Sequence, residues 1–286
     1  ISICAVNNQG SLVSPCSSFF DPSIDQPYDI VLNAAATKAY VANHDGSISV
    51  CDVLPSGLLD SCAATVISTD NPLFGLRIDP INNNLYVTVF QAPEDNVVFL
   101  CPLNGDGSIG SCQPLSEPGT GEVFGRIAIN PDSTCAYLAS GEPFVSVCPI
   151  QPDGSFAPCR SFSSSLAFTF TLATELSASG NTLYVSNGGI NEVYACPIID
   201  STACSPSNVG MCIASNGNGT FNFSGFDEIT NLFASRFGFL YVPNNANNSL
   251  SICPLTSTET IGTCPNPAFF DPTYNIIQSA WLSFSK

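Results

Sequence analysis

The chain has 286 residues, of which 6 are Lys or Arg and 23 are Asp or Glu, giving a formal net charge of −17 with its single histidine neutral. So acidic a balance excludes nucleic acid and anionic membrane surfaces, which reward clustered Lys and Arg, and no apolar run reaches the roughly 18 residues of a membrane span. Only 10% of the residues are charged, so Ser, Thr, Asn and Gly dominate the surface, a composition suited to carbohydrate-coated extracellular material.

The sequence opens inside a strand pattern, Ile1-Ser2-Ile3-Cys4, so a secretory signal is expected to have been removed or to lie outside it. Cys4 and Cys16 bracket a short hairpin, and the bracket recurs as Cys51/Cys62, Cys101/Cys112, Cys148/Cys159, Cys196/Cys212 and Cys253/Cys264. The opening cysteines are 47, 50, 47, 48 and 57 residues apart, the length of one four-stranded propeller blade. Gly10, Gly57, Gly107 and Gly154 sit near the middle of their brackets, as in Asn104-Gly105-Asp106-Gly107-Ser108, where a tight turn needs a positive φ. Alternation such as Ser47-Ile48-Ser49-Val50-Cys51 marks the paired strands on either side. A ten-residue gap between cysteines, found in four of the brackets, sets the two thiols opposite each other across a ladder, within disulfide reach. Zinc knuckles of the Cys-x-x-Cys type are absent, so the even cysteine count points to disulfides and an oxidising compartment.

Ahead of the later brackets stands a second phrase: Ala39-Tyr40-Val41-Ala42-Asn43, Leu85-Tyr86-Val87-Thr88-Val89, Ala136-Tyr137-Leu138-Ala139-Ser140, Leu183-Tyr184-Val185-Ser186-Asn187 and Leu240-Tyr241-Val242-Pro243-Asn244. These resemble the Tyr-Val-Thr-Asn repeats of the YVTN and lactonase-like β-propeller superfamily. A further apolar stretch precedes each phrase, at 29–32, 75–78, 126–129, 173–176 and 230–233. Each blade thus reads as strands A to D from the axis outward, with a disulfide tying C to the exposed edge strand D. The expectation is an all-β, six-bladed propeller in one domain, 1–286, of about 48 residues per blade. Its blades run approximately 23–70, 71–118, 119–166, 167–221 and 222–270, and a closing blade joins 271–286 to 1–22. Cys135 falls in an A–B turn and Cys204 in an enlarged C–D loop of the next blade; both connections emerge on one propeller face, which predicts an inter-blade Cys135–Cys204 disulfide.

His44 is the only histidine and lies in the turn Asn43-His44-Asp45-Gly46, so zinc sites built on several histidines are excluded. The Asp-rich hairpin tips lack the ligand series of an EF-hand and read as turn chemistry. Aligned on the repeated tyrosine, Asp29, Gly75, Arg126, Ala173 and Thr230 share one layer and Val31, Arg77, Ala128, Glu175 and Leu232 another. Structural positions should repeat between blades and site positions should differ. The channel-mouth candidates are therefore Tyr28, Asp29, Phe74, Arg77, Phe124, Arg126, Glu175 and Asn231. Two readings stand: a small polar ligand site at the axis, or inter-blade aromatic packing with an ion pair from Arg77 or Arg126 to Glu175, of which the packing reading is preferred. The resemblance implies calcium held by axial Glu, Asn and Asp, but Glu175, Asn231 and Asp29 make a thin ligand set, so no cofactor is expected. Asn218, Asn222 and Asn247 open three N-glycosylation sequons.

From 253 around the ring to Cys4 there are only 37 positions, and no Tyr-Val-x-Asn phrase occupies them. Residues 276–284 have strand A character and residues 1–16 supply C and D, which leaves a B strand missing. Unpaired backbone there is costly, so the closing blade either contracts to three strands or accepts a strand from another chain. The sequence is accordingly expected to be a secreted, non-catalytic binding or structural module, its partners a protein or a second copy joined by β-augmentation into fibres, or carbohydrate. The alternative is a metal-dependent lactonase-like hydrolase with its site at the axis.

Overall fold

A computed structural model of the chain describes residues 1–68, 71–81, 83–89, 97–115, 126–164, 168–219, 221, 231–244, 249–265 and 268–269. The N-terminal hairpin pairs β1 (Ser2–Val6) with β2 (Leu12–Ser18). Five four-stranded antiparallel sheets follow. The first holds β3 (Asp29–Leu32), β4 (Lys38–Ala42), β5 (Ser47–Val53) and β6 (Leu59–Val66), and the second β7 (Leu73–Ile78), β8 (Asn84–Val89), β9 (Val97–Pro102) and β10 (Gln113–Pro114). The third holds β11 (Ala128–Ile129), β12 (Cys135–Ala139), β13 (Val145–Pro149) and β14 (Arg160–Phe162), and the fourth β15 (Thr171–Leu176), β16 (Thr182–Asn187), β17 (Glu192–Pro197) and β18 (Ile213–Ser215). The fifth comprises β19 (Phe233–Ser235), β20 (Phe239–Asn244), β21 (Ser249–Pro254) and β22 (Ala268–Phe269). Within every sheet the strands neighbour one another in sequence order, as short hairpin connections dictate.

The architecture is a β-propeller. The expected six blades are not what the described residues contain: they hold five four-stranded sheets and one two-stranded hairpin. The reason lies in the N-terminus, which supplies only two strands, while the segment 276–284 assigned to the closing blade lies outside the described residues.

Apolar side chains pack between neighbouring sheets. Tyr40 and Ile48 of the first sheet meet Leu76, Leu85 and Val87 of the second. Tyr137 and Val147 of the third meet Leu183 and Val185 of the fourth. The N-terminal hairpin joins this pattern, placing Ile1, Ile3 and Phe19 against Ile30, Ala39 and Val41 of the first sheet. Central strands buried on both faces explain the near-continuous apolar runs of the repeated phrase, as in β12 and β16, whose residues are all buried.

The two polar members of the phrase have separate duties. The tyrosine hydroxyl reaches forward to the C–D turn of the next unit: Tyr40 donates to Gly107 O at 2.7 Å, Tyr86 to Gly154 O at 2.7 Å and Tyr184 to Glu259 O at 2.7 Å. Tyr241 donates to Gly10 O at 2.9 Å, so the hairpin receives the fifth sheet as each later turn receives its predecessor. The asparagine instead holds the chain entering its own sheet. Asn43 Nδ2 donates to Ser23 O and its Oδ1 accepts from Asp25 N, and Asn187 Oδ1 accepts from the Thr169 and Phe170 amides.

Seven disulfides form and no described cysteine is free. Six staple hairpins: Cys4–Cys16, Cys51–Cys62, Cys101–Cys112, Cys148–Cys159, Cys196–Cys212 and Cys253–Cys264. The seventh, Cys135–Cys204, ties the third sheet to the enlarged loop of the fourth, where the turn that would meet Tyr137 has been remodelled. At the hairpin tips Asp106 and Asp153 accept hydrogen bonds from the amide and hydroxyl of Ser108 and Ser155. These are Asx turns. Among the described residues no helix is long and apolar enough to cross a membrane.

Candidate functional site

The first strands of the sheets meet in the middle of the molecule. Arg126, two residues ahead of β11, sends Nη2 to Asp29 Oδ1 at 2.9 Å and Nε to Asp29 Oδ2 at 3.3 Å, linking the third sheet to the first past the second. Arg77 of β7 places Nη1 3.1 and 3.2 Å from the two carboxylate oxygens of Glu175 on β15. Arg126 Nη1 stands 3.7 Å from Glu175 Oε2. Four inner strands thus deliver two arginines and two carboxylates to one axial cluster. The sequence-level pair from Arg77 or Arg126 to Glu175 forms with both arginines at once; the Arg126–Asp29 pair was not foreseen.

Burial grades the cluster. The side chains of Asp29, Glu175 and Arg126 are 0, 4 and 5% exposed, whereas that of Arg77 is 22% exposed. Burial pushes the Asp29 carboxyl up to about 6, against the opposing pull of the Arg126 guanidinium and the Leu76 and Ile30 amides. Asp29 is therefore still ionised at neutral pH. Burial works against the charge of Arg126 too, but Asp29 and Glu175 outweigh it and hold the guanidinium above its usual range. Asp29, Arg126 and Glu175 are buried charge, and Arg77 is the most exposed member of the cluster.

Register places one more polar group in this layer. Phe233 pairs with Tyr241 as Val31 does with Tyr40, Arg77 with Tyr86, Ala128 with Tyr137 and Glu175 with Tyr184. The residue two positions earlier is Asp29, Gly75, Arg126, Ala173 and, in the fifth sheet, Asn231. The sequence alignment, which had Thr230 and Leu232 at these levels, is one residue out of step there. Asn231 is 3% exposed and its Oδ1 has no hydrogen-bond partner among the described residues.

The aromatic candidates gather beside the first two sheets. The Tyr28 ring stacks on His44 at 5.9 Å and meets Phe74 edge-on at 5.0 Å. His44 is exposed in its turn, as a polar turn residue should be, and adds this ring contact. Phe124 lies outside the described residues, as do Asn222 and Asn247, while Asn218 begins its sequon within a 3₁₀ turn, Gly217–Gly219.

The calcium implied by the resemblance needs six to eight oxygen ligands with little competing positive charge. Here Glu175 already carries two guanidinium groups and Asp29 a third contact of the same kind, which leaves Asn231 Oδ1 uncommitted among these three expected ligands. Among the described residues no group of three or more His, Cys, Asp or Glu could hold a metal. The donor set does not fit a hard dication.

The same architecture occurs in solved lactonase structures. The periplasmic gluconolactonase of Pseudomonas aeruginosa superposes with a TM-score of 0.63 at 13% identity, over 93% of this chain and 95% of that one. A putative 6-phosphogluconolactonase of Bacteroides uniformis gives 0.63 at 15% identity, over 94% of this chain and 78% of that one. Another from Bacteroides fragilis gives 0.58 at 16% identity, over 94% and 80% respectively. At these identities the likeness shows a lactonase-like propeller fold. No protein-family model and no curated protein matches the chain. These three neighbours correct the expectation of a non-catalytic binding or strand-donating module in favour of the alternative reading, since they are described as lactonases, two of them as putative. The ion pair of the packing reading is present, reaching Glu175 from both Arg77 and Arg126.

Proposed function

We propose that the chain is a lactonase-like hydrolase that opens a small sugar-acid lactone at the propeller axis. The observation that carries this is the meeting of Arg77, Glu175, Arg126 and Asp29 from four inner strands. In lactone hydrolysis water adds to the carbonyl carbon, a tetrahedral oxyanion forms, the ring C–O bond breaks and the ring oxygen takes a proton. Glu175 is the base that removes the proton of the attacking water and returns it to the ring oxygen. Arg77, the more exposed cation, stabilises the oxyanion and afterwards the carboxylate of the product. Arg126 and Asp29 form the fixed counter-charge behind Glu175, so the carboxylate stays aimed without solvent reorganisation. No step requires a metal.

The N-terminal hairpin is, on this reading, the outer half of a sixth blade. Its support is the Tyr241–Gly10 bond, which repeats the joint made at Gly107, Gly154 and Glu259. Seven disulfides suit a secreted protein, and glycans on Asn218, Asn222 and Asn247 are part of the proposal. Deglycosylation of the natural protein by an N-glycanase, read by mass, tests the last point.

The test of activity is acid release in a pH-stat with glucono-δ-lactone and its 6-phosphate. Acceleration over buffer is expected, with a loss of about 10²- to 10⁴-fold in Glu175→Gln. Hydrolysis at the buffer rate with both lactones overturns the proposal.

A further inference from the structure

A buried acceptor with nothing to accept is the least explained atom at the axis. Asn231 is 3% exposed, and its Oδ1 makes no hydrogen bond among the described residues. Leaving such an atom unsatisfied costs roughly 1–3 kcal/mol, so a residue of this kind persists where a donor arrives from outside the chain. The next residue is apolar: Leu232 is fully buried in one cluster with Ala173, Tyr184 and Leu240. A leucine or alanine at 231 would suit that packing without the penalty.

Position adds direction. Asn231 stands two residues ahead of Phe233, as Arg126 stands two ahead of Ala128 and Asp29 two ahead of Val31, so all three belong to one layer of the inner strands. In that layer Asp29 and Arg126 satisfy each other. Gly75 and Ala173 occupy the corresponding places in the second and fourth sheets and contribute no polar side-chain atom. Among the described side chains of the layer one oxygen is therefore uncommitted, and it is neutral. A neutral acceptor selects a neutral donor: a hydroxyl rather than an ammonium group, for which the spare site would be a carboxylate, and rather than a phosphate or carboxylate, which cannot donate when ionised.

We infer that Asn231 is the specificity-determining residue of the axial site, its Oδ1 accepting a hydrogen bond from a ring hydroxyl of a polyhydroxylated substrate. This rests on the lactonase reading and narrows it, separating sugar-derived lactones from plain cyclic esters of the same ring size. A buried water could fill the same role, and the test distinguishes the two.

The experiment compares glucono-δ-lactone with δ-valerolactone, which has the same ring without hydroxyls, in the wild type and in Asn231→Leu and Asn231→Ala. Thermal melts of each variant establish folding. The expected result is a rise of about tenfold in KM for glucono-δ-lactone, with kcat and the δ-valerolactone parameters little changed, in at least one folded variant. Equal effects on both lactones, or none on either, overturn the inference and leave the lactonase reading standing, with water as the donor. If the wild type hydrolyses neither lactone the lactonase reading falls, and calorimetry with D-gluconate decides the inference separately: binding weakened in the variants supports it, and binding that is absent or unchanged overturns it.

Discussion

The Tyr241 hydroxyl and the Gly10 carbonyl oxygen lie 2.9 Å apart although 231 residues separate them in the chain. The bond is the polar part of a close joint, since a Cβ added at Gly10, whose φ is +77°, would stand 2.7 Å from the Phe239 ring. Tyr241→Phe is expected to lower unfolding stability by about 1 kcal/mol. Gly10→Ala should cost more, about 2–3 kcal/mol, because it adds both backbone strain and overlap. Urea midpoints of the two variants and of the wild type check the order.

Asp29 sets a pH dependence of stability. With its carboxyl raised from 3.8 to about 6, the folded chain keeps a proton between these values that the unfolded chain has released. The contribution is thus fully present below about pH 4 and is lost as pH rises through 6, amounting to roughly 3 kcal/mol. Asp29→Asn should flatten the pH profile of the urea midpoint across this window, while lowering stability at pH 7 because Arg126 loses its buried partner. An unaltered slope would show that another group titrates there.

The Cys135–Cys204 bond closes a loop of 69 residues, whereas Cys101–Cys112 closes one of 11. On chain entropy alone the long loop is worth about 4 kcal/mol and the short one about 3 kcal/mol. The double variant Cys135→Ser/Cys204→Ser is expected to lose more stability than Cys101→Ser/Cys112→Ser. Differential scanning calorimetry of both pairs measures the difference.

Arg77→Ala should reduce lactone turnover by about 10²- to 10³-fold, and Arg77→Lys should restore part of it as a point charge without the planar fork. Chelation provides the complementary measurement. Dialysis against EDTA followed by assay with and without added calcium should leave the rate unchanged, since both axial carboxylates are held by arginines. A rate restored only by calcium would contradict the assignment of Glu175.

The blade repeat was legible because its signals are local: paired cysteines, turn glycines and the Leu-Tyr-Val strand each act within a dozen residues. The joint between Cys135 and Cys204 was also readable, since propeller connections dictate which loops share a face. The axis was less so. Arg126 and Asp29 are brought together by ring curvature across an intervening sheet, and no spacing in a single blade encodes that distance. The one-residue slip at Asn231 has a similar origin, because Leu232 and Phe233 are both apolar and periodicity alone could not decide which faces the layer of Glu175. The expectation of an assembly module has a related origin. The ring closure lacks a recognisable B strand in the sequence, while the charged side chains on which the proposed hydrolysis rests look like isolated exceptions until the inner strands are superposed.

The joints between neighbouring units also govern how the molecule comes apart. In an open stack of repeats the terminal units fray first, each having one neighbour. Here the first hairpin is gripped by Tyr241 on one side and packs on Ile30 and Val41 on the other, so it has two neighbours like any interior repeat. Amide exchange should then show the N-terminal hairpin opening together with the sheets beside it rather than ahead of them.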